Sequence, residues 1–230
     1  MGHLLTAKGF PRSVVFDLDG TLIDSVPEVC AALNCVLASR GRQTLGVDEA
    51  FYMVGEGAMA TLERAFIATG APLDAAATAD VMAAYLGAYK EARGANTLVY
   101  PGVFEVLRQL KAAGVSMSIC TNKPAATTTT TLGGLGLLGF FSRIVCPEDT
   151  QHRKPDGGHV LDCLGPTEGA TNYAVMVGDS ETDMAAARDA GLPFVAVSYG
   201  YSHVPVAELN AETVIDHFAD LPAALMGLAL

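Results

Sequence analysis

Short, nearly unbroken apolar runs recur along the chain, each ending in a polar cluster: Ser13 to Phe16, Val115 to Cys120, Arg143 to Cys146, Tyr173 to Val177 and Pro193 to Ser198. Continuous apolarity, in place of strict alternation, is the pattern of strands covered on both faces. Between these runs the period lengthens. Val103, Val106, Leu107 and Leu110 make one stripe of a helix over Val103 to Ala113, with Gly114 as its stop. Further helical segments are expected at Ala125 to Leu135, Gly158 to Leu164 and Asp183 to Ala190. Strands alternating with helices predict an α/β fold built on a doubly wound parallel sheet.

Residues 25–99 break this rhythm, because they contain no convincing strand and far exceed a usual strand-to-helix connection. They are expected to form an inserted helical domain, with residues 1–24 and 100–230 making the α/β core. The insert opens on Ser25-Val26-Pro27-Glu28, a capping-box pattern with proline in the first turn, followed by Val26, Val29, Leu33, Val36 and Leu37 on one face. Helices are also expected around Asp48 to Val54, Ala58 to Thr69 and Ala75 to Glu91, with Gly55-Glu56-Gly57 as a break. The threonine run Thr127 to Thr131 reads as a helix with an unusually β-branched, hydroxyl-rich face, against threonine's poor propensity.

Composition narrows the function classes. The chain has 230 residues, 50% of them apolar, which allows a sizeable core, and its formal net charge is −11 with no basic run. Nucleic acid or an anionic membrane would meet general repulsion, so neither is an expected partner. The absence of an apolar stretch of membrane-spanning length and of a secretory h-region points to a cytoplasmic protein; a monomer or a homodimer is expected, with nothing in the sequence to choose between them. The cysteines Cys30, Cys35, Cys120, Cys146 and Cys163 lack C-x-x-C spacing, and buried free thiols are the expectation.

The chemistry sits at the strand ends. Asp17-Leu18-Asp19-Gly20-Thr21 follows the first strand, Thr121-Asn122-Lys123 the second, Lys154-Pro155 the loop after the third, and Gly178-Asp179-Ser180-Glu181-Thr182-Asp183 the fourth. Ligands of open parallel sheets bind at the carboxyl ends of strands, so these four clusters can converge. Like charges held this close are tolerated only with a cation between them or with one of them protonated.

Together, in order and approximate spacing, the four clusters resemble the motifs of the haloacid dehalogenase superfamily of aspartate-dependent phosphohydrolases, and the insert resembles the helical cap that many members carry. The resemblance implies Asp17 as nucleophile forming an aspartyl-phosphate, and Asp19 as the acid and base that serves the leaving alkoxide and then the water. It implies Mg2+ held by the side chains of Asp17 and Asp179 and the main-chain carbonyl of Asp19. Asp183, with Ser180 beside it, would hold waters or Lys154, or would simply cap a helix. Lys154 would offset the phosphoryl charge, while Thr121 and Asn122 would bind phosphoryl oxygens. In close relatives a second proline often follows the Lys-Pro pair, whereas here Lys154-Pro155-Asp156 runs into Gly157-Gly158, which suggests a looser loop and a less fixed Lys154. Dehalogenation is disfavoured, because a haloalkanoate needs no acid and Asp19 is present.

Val54-Gly55-Glu56-Gly57, Leu62-Glu63-Arg64-Ala65, Tyr100-Pro101-Gly102-Val103, Thr121-Asn122-Lys123-Pro124 and Ser198-Tyr199-Gly200-Tyr201 look like the phosphoglycolate phosphatase group of that superfamily. The substrate implied is a small phosphorylated metabolite, 2-phosphoglycolate, with Lys123, Arg64 and Glu56 as candidate contacts to its far end. A phosphatase of pyrophosphate or a sugar phosphate, a phosphomutase like the β-phosphoglucomutase relatives, and a non-catalytic phosphoryl-binding protein are the alternatives.

Overall fold

A computed structural model describes residues 6, 9–92, 95–165 and 174–228. Its centre is a six-stranded parallel sheet of β1 (Ser13–Phe16), β4 (Ser116–Cys120), β5 (Arg143–Val145), β6 (Ala174–Gly178), β7 (Phe194–Val197) and β8 (Thr213–Ile215). The strand order is β5-β4-β1-β6-β7-β8, with the first strand of the chain in the middle. Alternation along β1 explains the two-sided burial. Val14 and Phe16 join one core cluster with Val103, Val106, Leu107 and Leu110 of α5 (Val103–Ala112) and with Leu221 and Leu225 of α9 (Leu221–Gly227). Val15 joins the opposite cluster with Val160 and Leu164 of α7 (Gly157–Leu164) and Ala186 and Ala187 of α8 (Glu181–Asp189). The strands expected from sequence are all present, although Tyr173 lies outside the described residues.

Three strands, and the helix α9, were not foreseen. β8 extends the sheet at its edge, and β2 (Ile23–Asp24) pairs antiparallel with β3 (Leu98–Val99). This small ribbon carries both connections between the sheet and the helices α1 (Val26–Ala38), α2 (Val47–Phe51), α3 (Ala58–Ala68) and α4 (Thr78–Ala92). Those helices have a cluster of their own, built on Val29, Leu33, Val36, Leu62, Val81 and Tyr85, which among the described residues the core enters only through Tyr201. A short 3-10 turn, Ala75–Ala77, precedes α4.

The capping box expected at Ser25 and Glu28 is not formed. Ser25 makes no side-chain bond to the start of α1, because its hydroxyl is used by Asp19, and Glu28 accepts from Asn96 N–H and the Thr97 hydroxyl beside β3. Tertiary partners therefore outcompete the local cap. The threonine run does form a helix, α6 (Ala125–Gly134), whose hydroxyls mostly donate to its own preceding carbonyls and which packs against α4. Among the five cysteines only Cys35 is exposed, and all are free thiols. Among the described residues no helix is long and apolar enough to cross a membrane.

Gly157 and Gly158 tighten the loop after Lys154 where looseness was expected. A Cβ on Gly157 would lie within 2.7 Å of the Asp189 carbonyl carbon and nearer still to the Ala190 nitrogen, and one on Gly158 would enter the His152 ring. The Gly157 N–H donates to Asp189 at 2.8 Å, and Asp156 caps α7 by accepting from Gly158 N–H at 2.7 Å. Gly157 lets α7 seat against the end of α8, and Gly158 makes room for the His152 ring. Gly157→Ala is expected to push these helices apart and cost about 1–3 kcal/mol, as overpacking does; urea denaturation followed by circular dichroism measures it.

Candidate active site

Register brings the carboxylates together. Phe16 pairs with Val177 of β6 and with Ile119 of β4, so Asp17 and Asp179 leave adjacent strands on the same side, and the Asp17 N–H still donates to Val177 O at 2.9 Å. Asp17, Asp179 and Asp183 are all buried and offer oxygens within 4.8 Å of one another. Lys154, 5% exposed, donates to Asp17 Oδ1 at 2.6 Å and to Asp183 Oδ1 at 2.7 Å. The other Asp183 oxygen accepts from Asp179 N–H, Ser180 N–H and the Ser180 hydroxyl, which also caps α8. Asp183 thus holds Lys154 and completes a helix cap at once.

Asp179 is gripped from two loops: Oδ1 accepts from the Thr21 hydroxyl at 2.8 Å and Oδ2 from the Tyr201 N–H at 2.6 Å. Such proximity requires residues without side chains. A Cβ on Gly20, whose φ is 88°, or on Gly200 would lie inside the Asp179 carboxylate. Tyr201 then reaches the ribbon, where its hydroxyl accepts from Ser25 N–H at 2.9 Å and donates to Asp24 at 2.9 Å.

Asp19 occupies the boundary between core and helical insert. Its Oδ1 accepts from the Ser25 hydroxyl at 2.5 Å and from Lys123 at 2.8 Å, while Lys123 also donates to the Tyr89 hydroxyl of α4 at 2.7 Å. Asp17 and Asp19 line a small cavity of about 40 Å³, roofed by Val54, Gly55, Gly57, Tyr85 and Tyr89 and walled by Asn122, Lys123 and Thr127. For both carboxylates, Oδ2 has no hydrogen-bond partner among the described residues. The roof and the core loop nearly touch, since a Cβ on Gly57 would meet Asn122 O at 3.1 Å.

Several sequence candidates have other employment. Glu56 and Arg64 pair with each other, Arg64 also donates to Met53 O at 3.1 Å, and neither lines the cavity. Thr121 is buried with its hydroxyl accepting from Lys123 N–H at 3.1 Å, and Asn122 Nδ2 donates to Lys154 O at 3.0 Å, tying the second and third clusters together. The residues missed from sequence are Ser25, Tyr85, Tyr89 and Tyr201. Val81, Tyr85 and Tyr89 recur at four-residue spacing, a pattern that signals a buried stripe and says nothing of a cavity.

Burial dominates the electrostatics. It raises the Asp17 carboxyl to about 7, with Asp183 adding to the rise and Lys154 opposing it. Asp179 is also raised, first by burial and then by Asp183 and Asp17. Burial works to lower Lys123 and Lys154, yet Asp19 with Tyr89, and Asp17 with Asp183, outweigh it and hold both ammoniums charged. Three buried carboxylates with one lysine between two of them leave an excess of negative charge, and oxygen donors of this kind fit a hard divalent cation. Without a cation, the wild type is expected to lose stability relative to Asp17→Asn as pH rises from about 4 to about 7, because the folded state holds the Asp17 proton above the range where the unfolded chain releases it. Above that window the difference levels off; chemical denaturation in chelator across pH reads it.

Known proteins share this organisation. A phosphoglycolate phosphatase from Caulobacter vibrioides is 41% identical over 216 residues, covering 94% of this chain and 91% of the relative. One from Rhodospirillum rubrum is 41% identical, covering 92% and 89%. Among solved structures, a "predicted phosphoglycolate phosphatase" from Haemophilus somnus superposes with a TM-score of 0.88 at 27% identity, covering 94% of this chain and 98% of that one. CbbY from Rhodobacter sphaeroides, solved in complex with phosphate, shares the fold with a TM-score of 0.80 at 21% identity, covering 94% and 99%. The haloacid dehalogenase-like hydrolase family model matches residues 14–197, from the first residues of β1 to the end of β7, and the chain belongs to that family.

Proposed function

We propose that the chain is a magnesium-dependent phosphomonoester hydrolase that converts 2-phosphoglycolate to glycolate and phosphate, with residues 25–99 acting as a cap over the site. The observation that carries this reading is that Asp17 and Asp19 both line one small cavity with an oxygen free, beside Lys123. Asp17 Oδ2 attacks phosphorus, the bond to the leaving oxygen breaks, and Asp19 delivers a proton to that oxygen. A water then attacks the aspartyl-phosphate, Asp19 takes a proton from it, and the bond between Asp17 and phosphorus breaks.

Lys154, already fixed by Asp17 and Asp183, neutralises charge on the transferring group, and Thr121 and Asn122 complete the phosphoryl cradle. Asp17, Asp179 and the Asp19 carbonyl would hold Mg2+, with Ser180 and Asp183 supporting them. When bound, the ion neutralises phosphoryl oxygens and reduces repulsion between them and Asp17. The roof formed by Val54, Gly55, Gly57, Tyr85 and Tyr89 excludes water around the small substrate. The relatives named phosphoglycolate phosphatase support the choice of substrate.

Phosphate release from 2-phosphoglycolate, pyrophosphate, glucose 1-phosphate and p-nitrophenyl phosphate tests the reading. An advantage of about a hundredfold in kcat/KM for 2-phosphoglycolate, near 2.7 kcal/mol, is expected. Even, magnesium-dependent activity across the panel would remove the substrate assignment and leave the chemistry. Asp17→Asn is expected to lower kcat at least about a thousandfold with the fold intact. EDTA should silence the wild type until magnesium is restored, and full activity in chelator would contradict the metal site.

A further inference from the structure

Two tyrosine hydroxyls and one ammonium face the cavity from opposite sides, and the catalytic steps above leave them without a task. Tyr85 and Tyr89, 4% and 1% exposed, lie one turn apart on α4 and line the cavity with Lys123 from the core loop. Burial raises both phenols, so each is a neutral O–H donor at physiological pH. Tyr89 Oη accepts from Lys123 at 2.7 Å, and its own proton has no acceptor among the described residues. The Tyr85 hydroxyl has no hydrogen-bond partner among them at all. A nearly buried hydroxyl left open toward a cavity is a donor awaiting a ligand.

We infer that Lys123 Nζ, Tyr89 Oη and Tyr85 Oη form the receptor for the carboxylate of the substrate, and that the two tyrosines set the selectivity for carboxylate-bearing phosphate esters. This rests on the proposed phosphatase reading and assigns the end of the substrate that does not react. Lys123 supplies charge, and the two neutral phenols supply direction, without adding a second cation next to Asp19. A carboxylate has lone pairs for all three donors. An ester with an alcohol in its place offers the ammonium no anion beyond Asp19 and leaves the phenol donors with a weaker acceptor, and a site built for one polar group rejects an analogue lacking it far better than an apolar pocket does. Arg64 cannot take this part, being paired with Glu56 away from the cavity lining.

The test compares 2-phosphoglycolate with 2-hydroxyethyl phosphate, which replaces the carboxylate by a hydroxymethyl group, as the ratio of their kcat/KM values. Wild type is expected to favour 2-phosphoglycolate strongly. Tyr89→Phe should lower that ratio about tenfold or more, mainly through a higher KM for 2-phosphoglycolate, and Tyr85→Phe should lower it in the same direction. Wild type that turns over both esters equally overturns the substrate reading on which the receptor rests. Wild type that discriminates, with both variants keeping its ratio, overturns the receptor alone. Tyr85→Phe removes a hydroxyl that bonds no protein group among the described residues, so it carries the test even if Tyr89→Phe folds poorly.

Discussion

Lys154 reaches from the loop after β5 into a group of three buried carboxylates, and its ammonium divides the charge between Asp17 and Asp183. Removing one partner of such a pair strands a charge in low dielectric, at a cost of about 3–5 kcal/mol. Much of the surrounding chain can be understood as keeping that pair in place. Asn122 fastens the Lys154 carbonyl, Gly157 lets α7 approach α8 closely behind it, and Ser180 with the first turn of α8 orients Asp183. Even so, one lysine does not balance three carboxylates. Burial first, and then repulsion from Asp183, displaces Asp17 and Asp179 upward, and a divalent cation is the natural remedy.

The same charge cluster is coupled to the ribbon that joins core and insert. Tyr201 touches Asp179 through its N–H, Ser25 and Asp24 through its hydroxyl, and Phe51 of α2 through its ring, with centroids 5.4 Å apart. Thr21 links Asp179 to the turn that follows β1, and Ser25 links Asp19 to the start of α1. A displacement of α1 and α2 about the ribbon therefore acts on residues bonded directly to Asp19 and Asp179. The strand-end carboxylates and the insert are thus linked through the hydrogen bonds of Ser25 and Tyr201.

The sheet was legible because strands buried on both faces leave a continuous apolar signature, and the charged clusters were legible because carboxylates at strand ends are costly without a purpose. The ribbon escaped because two residues per strand carry no periodicity, and β8 because Thr213 and Val214 sit at a partly solvated edge. Ser25 and Glu28 misled for a physical reason: a local cap competes poorly with a half-buried carboxylate for a hydroxyl, and Glu28 found Thr97 across the ribbon. Lys154-Pro155-Asp156-Gly157-Gly158 seemed loose because glycine's freedom is visible in sequence, whereas the close approach of α8 is visible only in three dimensions.

The cavity roof was the least legible part, and its chemistry explains why. Charged residues announce themselves in a sequence, and Arg64 and Glu56 did so, yet they neutralise each other away from the cavity lining. Tyr85 and Tyr89 instead read as ordinary core residues, since a phenol at four-residue spacing serves packing and hydrogen bonding equally well. Among the described residues the cation in the cavity wall is Lys123, which belongs to the core as Asp19 does. What separation of α4 from the core loop breaks is the bond between Lys123 and Tyr89, a charge-to-neutral hydrogen bond, while the ion pair with Asp19 stays within the core. Between α4 and the core loop, a neutral roof thus meets a charged floor through a bond whose partners water can satisfy in its place.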